Sequence, residues 1–178
     1  MQNKVLIVGA SGLVGTAAAI SFARKGWQVI AASRRRPELL DHANIDFAVM
    51  DLQDRDACAS ACAKLRGITH VVYTAVYELP GLVDGWSDPV QINTNGEMLK
   101  NLLDAVTVSN RLQHVTLLQG TKAYGAMVGP MRIPARESQP RVEHPNFYWL
   151  QEDFLRAHAK NHNYTFTILR PQMIVGPN

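Results

Sequence analysis

Three glycines at three-residue spacing, Gly9, Gly12 and Gly15, follow directly on the apolar run Val5-Leu-Ile-Val8. They lead into Thr16-Ala-Ala-Ala-Ile20, a small-residue run that favours a helix. Strand, glycine turn and helix in that order suit the capture of a phosphate-bearing ligand. Gly9 lets the chain leave the strand, Gly12 removes the Cβ that would block a pyrophosphate, and Gly15 lets the helix lie against the sheet. The new helix aims unpaired N–H groups and the positive end of its dipole at the anion. Ser11, Leu13 and Val14 fall inside the same turn and are read with it as ligand-binding residues. A packed turn with a purely structural role is the competing reading. The position immediately after an apolar strand favours a dinucleotide site.

A second group with chemical content is Ser33-Arg34-Arg35-Arg36, which closes the second apolar run, Trp27-Gln-Val-Ile-Ala-Ala32. In a domain that binds NAD this position usually holds Asp or Glu, accepting hydrogen bonds from the ribose hydroxyls. A carboxylate there would repel a 2′-phosphate, whereas a serine hydroxyl donates to it and a guanidinium grips it with two N–H groups. The cofactor expected is therefore NADP(H), bound by Ser33, Arg34 and Arg35, with Arg36 turned outward. A solvated arginine loop is the alternative. Asp51-Leu52, after the third apolar run, stands where a carboxylate meets an adenine amino group, and capping the next helix is the rival role for Asp51.

These residues need a scaffold, and the pattern supplies one. Apolar runs at 5–8, 27–32, 45–50, 70–75, 114–118 and 166–170 alternate with helical stretches, among them roughly 54–65, 89–109 and 147–160. In the longest of these, Met98, Leu99, Leu102, Leu103 and Val106 form one stripe. Asn146 is placed to cap the last. Several strands are continuously apolar, as in a parallel sheet covered on both faces. The fold class expected is α/β, a doubly wound Rossmann sheet of six strands in the order 3-2-1-4-5-6 with right-handed crossovers.

With 178 residues the chain is expected to form a single domain. Its net charge of +3 is too small to imply nucleic acid, and the excess gathers at Arg34–Arg36. Cys58 and Cys62 lie one helical turn apart without further ligands at metal spacing, so they read as core thiols, and no metal is expected. The histidines likewise have no partners at ligand spacing. No apolar stretch nears the about 18 residues needed to span a bilayer, and no charged-then-apolar leader precedes the first strand. A cytoplasmic protein acting on a small molecule is expected, with neither nucleic acid nor membrane as a partner.

With Gly9-Ala-Ser-Gly-Leu-Val-Gly15 in place, the chain resembles the extended short-chain dehydrogenase/reductase superfamily, which includes the NAD-dependent epimerases and dehydratases. Asn93, Gly96 and Asn101-Leu-Leu in the long helix, and Arg170-Pro with Val175-Gly-Pro, strengthen the resemblance. Most of that superfamily carries a catalytic Tyr-x-x-x-Lys. None of Tyr73, Tyr77, Tyr124, Tyr148 and Tyr164 has a lysine at that spacing, and Tyr148 is followed there by Glu152. The sequence is more specifically similar to the progesterone 5β-reductase and iridoid synthase-like enzymes, which reduce 1,4-enones with NADPH. The matching stretches are Ala32-Ser-Arg-Arg-Arg-Pro37, Thr69-His-Val-Val-Tyr-Thr-Ala75, Leu117-Leu-Gln-Gly-Thr-Lys-Ala-Tyr-Gly125, Glu137-Ser-Gln-Pro-Arg141 and Asn146-Phe-Tyr-Trp-Leu-Gln-Glu-Asp153. They imply Tyr148 and Lys122 as the catalytic pair, also touching the cofactor, with Thr74 and Ala75 on the cofactor edge. Without the resemblance Tyr148 reads as a helix-start aromatic and Lys122 as a loop lysine. Two departures, Ala123-Tyr124 for the usual His-Tyr and Trp149 for a second tyrosine, bear on substrate preference.

The function expected is an NADPH-dependent reductase of an activated alkene or carbonyl. The alternatives are a non-catalytic NADP(H)-binding module or fragment, and a nucleotide-sugar epimerase or dehydratase, against which the missing Tyr-x-x-x-Lys counts. Since the sequence reaches Asn178 soon after the sixth strand, the substrate-binding region is expected to be largely absent. Apolar surface left exposed in that way favours self-association.

Overall fold

A computed structural model describes residues 3–37, 43–81 and 84–176. Six parallel strands form one sheet in the order β3-β2-β1-β4-β5-β6. They are β1 (Lys4–Val8), β2 (Gln28–Ser33), β3 (Ile45–Val49), β4 (His70–Tyr73), β5 (His114–Leu118) and β6 (Thr165–Leu169). The helices are α1 (Leu13–Arg24), α2 (Arg55–Cys62), α3 (Pro89–Ser109) and α4 (Phe147–His162), with 3-10 turns at Asp84–Ser87 and Thr121–Tyr124. The expected fold class and strand order are those observed.

Alternation along β1 sorts the core. Val5 and Ile7 face α1 and pack with Ala19, Ala23, Val29 and Ala31. Leu6 and Val8 face the opposite side, where Leu99, Leu102, Leu103 and Val106 of α3 and Leu155 of α4 fill the larger core. The expected stripe of α3 is thus the buried one, and Cys58 and Cys62 are free thiols within the same core. Asp88 caps α3 by accepting from Val90 N at 2.7 Å, with Pro89 occupying the first turn, where its missing N–H costs nothing.

Element ends differ from the sequence reading in ways that side chains explain. The second helix begins after Asp54, whose carboxylate accepts from Ala57 N at 2.9 Å. It stops at Cys62 and tightens into turn hydrogen bonds such as Leu65 N to Cys62 O. Strand β4 ends at Tyr73 because the Thr74 hydroxyl turns back to donate to Val8 O at 2.8 Å. Helix α4 runs on to His162 and is closed by Asn163 in the left-handed conformation, φ 55°. Asparagine tolerates that region better than most residues. The two 3-10 turns fall in stretches that read as plain loops. Among the described residues no helix is long and apolar enough to cross a membrane.

Candidate functional site

The glycine turn sits at the carboxyl end of β1. Gly9 has φ 84°, and a Cβ there would stand 2.7 Å from Ala75 N, so both conformation and space require glycine. At Gly15 a Cβ would fall 2.2 Å from Gly9 O, which fixes how closely α1 lies on the turn. Gly12 differs: its Cβ would meet only Gly9 O at 3.5 Å, an ordinary contact. Among the described residues nothing forbids a side chain at Gly12, so its bareness leaves room for a ligand. Gly12 also caps α1 without any side-chain acceptor, and no acidic residue stands in the first turn. Among the described residues no side chain caps the leading N–H groups of α1, the condition under which a helix start can receive a pyrophosphate.

From that turn a cleft runs across the sheet edge. Its lining includes Gly9, Ser11, Gly12, Ser33, Arg34, Asp51, Leu52, Thr74 and Ala75. Nine of the residues expected at the cofactor thus gather on one surface. Leu13, Val14 and Gly15 lie in the first turn of α1 outside this lining, and so does Arg35, which is exposed alongside Arg36. The Ser33 hydroxyl donates to Arg35 O at 2.6 Å, shaping the bend that leaves Arg34 as the arginine of the cleft. Asp51 accepts from Gln53 N at 3.0 Å and does not cap α2, a role that falls to Asp54. Its carboxylate remains at the cleft.

Lys122 and Tyr148 come together on a third residue that sequence reasoning missed. The Lys122 ammonium stands 3.0 Å from the centre of the Trp86 ring, and the Tyr148 ring meets the same indole edge-on at 5.5 Å between centroids. Lys122 rides on the 3-10 turn Thr121–Tyr124, Tyr148 on the first turn of α4, and Trp86 on the 3-10 turn Asp84–Ser87. Asn146 joins the first two. Its Oδ1 accepts from Tyr148 N at 3.0 Å and its Nδ2 donates to Lys122 O at 3.2 Å. Gln119 Nε2 donates to Tyr148 O at 3.0 Å. The available signal for Trp86 was a large aromatic in a loop rich in Gly, Pro and Asp, where solvation alone would be unfavourable.

Burial sets the charge states. Partial desolvation, opposed by the nearby Glu78 carboxylate, lowers Lys122 to about 8. Burial first, and Glu78 second, push the Tyr148 phenol above its usual range. At neutral pH Lys122 is therefore an ammonium and Tyr148 a neutral phenol, both able to donate hydrogen bonds, the phenol held un-ionised by its burial and by Glu78. Glu78 lines the cleft and acts on both groups, so it links the two parts of the site.

The strand order and the glycine turn between β1 and α1 define a Rossmann fold. Residues 5–178 match the NAD dependent epimerase/dehydratase family, and the chain belongs to it. Over 98% of its length the chain is 34% identical to a 3-oxo-Delta(4,5)-steroid 5-beta-reductase of Arabidopsis thaliana. Over the same share it is 30% identical to an (S)-8-oxocitronellyl enol synthase of Catharanthus roseus. It spans about half of these relatives, 47% and 46% respectively. Among solved structures it resembles UDP-glucose 4-epimerase from Brucella ovis in complex with NAD, with a TM-score of 0.80 and 22% identity over 99% of this chain and 54% of that one. The Bordetella bronchiseptica enzyme WbmH in complex with NAD+ gives 0.75 and 24%, over 99% and 58%. At such identities these structures establish the fold.

Proposed function

We propose that the chain is the cofactor-binding and proton-donating part of an NADPH-dependent reductase acting on an α,β-unsaturated carbonyl compound. One observation carries the reading. Lys122 and Tyr148, distant in sequence and lacking the usual Tyr-x-x-x-Lys spacing, meet on the Trp86 indole, outside the cleft's lining but within reach of Glu78, which lines it. The relatives named for 5β-reduction of a 3-oxo steroid and for formation of an enol support it, as does Ser33, followed by Arg34, where NAD-binding domains keep a carboxylate.

The nucleotide, when bound, supplies hydride chemistry at its nicotinamide. The chain's own residues do the rest. Gly12 and the first turn of α1 would receive the pyrophosphate, Arg34 would pair with the 2′-phosphate, and Asp51 would accept from the adenine amino group. Tyr148 Oη donates a hydrogen bond to the substrate carbonyl oxygen, where charge collects as the alkene is reduced. Lys122 favours that charge through its ammonium and holds it against the phenol. Trp86 covers the pair on one side and excludes water, which strengthens both interactions.

Loss of NADPH absorbance with 2-cyclohexenone or progesterone tests the proposal. Turnover is expected, falling at least ~100-fold in Tyr148→Phe. A chain that binds NADPH but turns over no enone would favour a second reading, a cofactor-binding unit without activity of its own. Its span of about half of each relative is the observation behind that reading.

A further inference from the structure

Glu152 stands on α4 one turn beyond Tyr148, buried, and three guanidinium groups converge on it. Arg156 binds Oε1 at 2.8 Å, Arg141 approaches the same oxygen at 3.4 Å, and Arg170 binds Oε2 at 2.7 Å. Arg170 differs from the other two in what else it touches. Its Nε donates to Gln119 Oε1 at 3.1 Å, and its guanidinium carbon lies 5.2 Å from the centre of the Tyr124 ring. Gln119 in turn donates from Nε2 to Tyr148 O. One planar side chain thus contacts the end of β5, the 3-10 turn that carries Lys122 and the helix that carries Tyr148.

The geometry points to Arg170 as a positioning residue that holds Lys122 and Tyr148 in register with one another. This inference rests on the proposed role of that pair. Donation from Arg170 Nε fixes the Gln119 amide with its oxygen toward the arginine, which is the orientation that leaves Nε2 free for Tyr148 O. The second limb of the fork anchors the same guanidinium to α4 through Glu152. Tyr124, beneath it, ends the turn on which Lys122 sits. A lysine at 170 has a single ammonium and cannot reproduce the two-directional planar fork. Arg156 and Arg141 serve as internal comparisons, since their recorded polar contacts are with Glu152 and Asp153 and include neither Gln119 nor the 3-10 turn.

The test follows Lys122 directly in the 178-residue chain. The acetylation rate of Lys122 is measured against pH, residue by residue, by mass spectrometry, with NADPH affinity and enone turnover alongside. In the wild type and in Arg156→Met the labelling midpoint is expected near 8. In Arg170→Met, and equally in Arg170→Lys, it is expected to rise by about half a pH unit or more as the turn loosens and water enters. Turnover number is expected to fall ~10-fold or more, with the NADPH dissociation constant within about 2-fold of wild type. A folded Arg170→Met with unmoved Lys122 labelling overturns the inference. Should that variant fail to fold, Gln119→Met keeps the Arg170–Glu152 ion pair and cuts only the link to Tyr148, and an unshifted Lys122 there overturns it as well. A wild-type chain without enone turnover overturns the proposed function instead, and the labelling then decides on Arg170 independently.

Discussion

Replacing Lys122 by methionine is expected to make the protein more stable while abolishing turnover. The folded chain releases the Lys122 proton near pH 8, against 10.5 for an ordinary lysine. Between those two values the folded state binds fewer protons than the unfolded one, so stability rises with pH through that window. Below pH 8 the full cost of the desolvated ammonium is present. At about 1.4 kcal/mol per pH unit, its upper bound is about 3 kcal/mol. Two effects reduce it. Lys122 is half-buried, so water screens part of the cost, and its placement over Trp86 returns about 0.5–2 kcal/mol as cation–π attraction. About 1 kcal/mol remains, and methionine, of similar length and without charge, recovers it. Paired thermal unfolding at pH 7 should place Lys122→Met about 2–4 °C above the wild type. The gap should close as pH climbs from 8 toward 10.5, because the folded wild type then holds Lys122 neutral and no longer bears the cost of the desolvated ammonium. A variant less stable than wild type at pH 7, or a gap independent of pH, would refute the reasoning.

Arg34 is the arginine of the cleft, so NADPH should bind at least ~10-fold tighter than NADH, and Arg34→Glu should erase the difference by repelling the 2′-phosphate. Equal dissociation constants for the two nucleotides in the wild type would remove arginine as the discriminating residue. Gly15→Ala places a methyl group where Gly9 O already stands, so α1 must move off the turn, at a cost of about 1–3 kcal/mol. Denaturant unfolding should show that loss together with weaker NADPH binding, and an unaffected variant would mean that α1 is less tightly seated than its contacts imply.

Local sequence carried much of the architecture. The strand order follows from apolar runs interleaved with helices, and the buried face of α3 from the spacing of Met98 through Val106. The glycine turn was legible because Gly9 and Gly15 answer local demands of conformation and close approach. The site's other half was harder, since it is made of pairs that meet only through space. Trp86 lies on a turn of four residues with no periodicity, and its meeting with Lys122 depends on the separate placement of β5 and α3. Glu152 is an instance of the same difficulty. On the sequence its place in the early turns of α4 is explained by the helix dipole, whereas in the fold it is the acceptor for Arg141, Arg156 and Arg170. Asp51 and Asp54 show the limit at short range. Both suit a helix cap, and only the backbone path after β3 decides that Asp54 takes it.

Glu152 occupies the place, relative to Tyr148, where most of the superfamily keeps its lysine. Its three arginine partners make a lysine at this place unfavourable. A single codon change from glutamate to lysine would set an ammonium among three guanidinium groups with no carboxylate between them, a cluster of like charges in a buried place. Losing Arg170 first would leave Glu152 with two partners and Gln119 with one fewer. Either change is therefore unfavourable by itself. The cluster works as a lock: three neighbouring cations tie position 152 to a carboxylate, and a basic side chain there would have to come with changes at 141, 156 or 170.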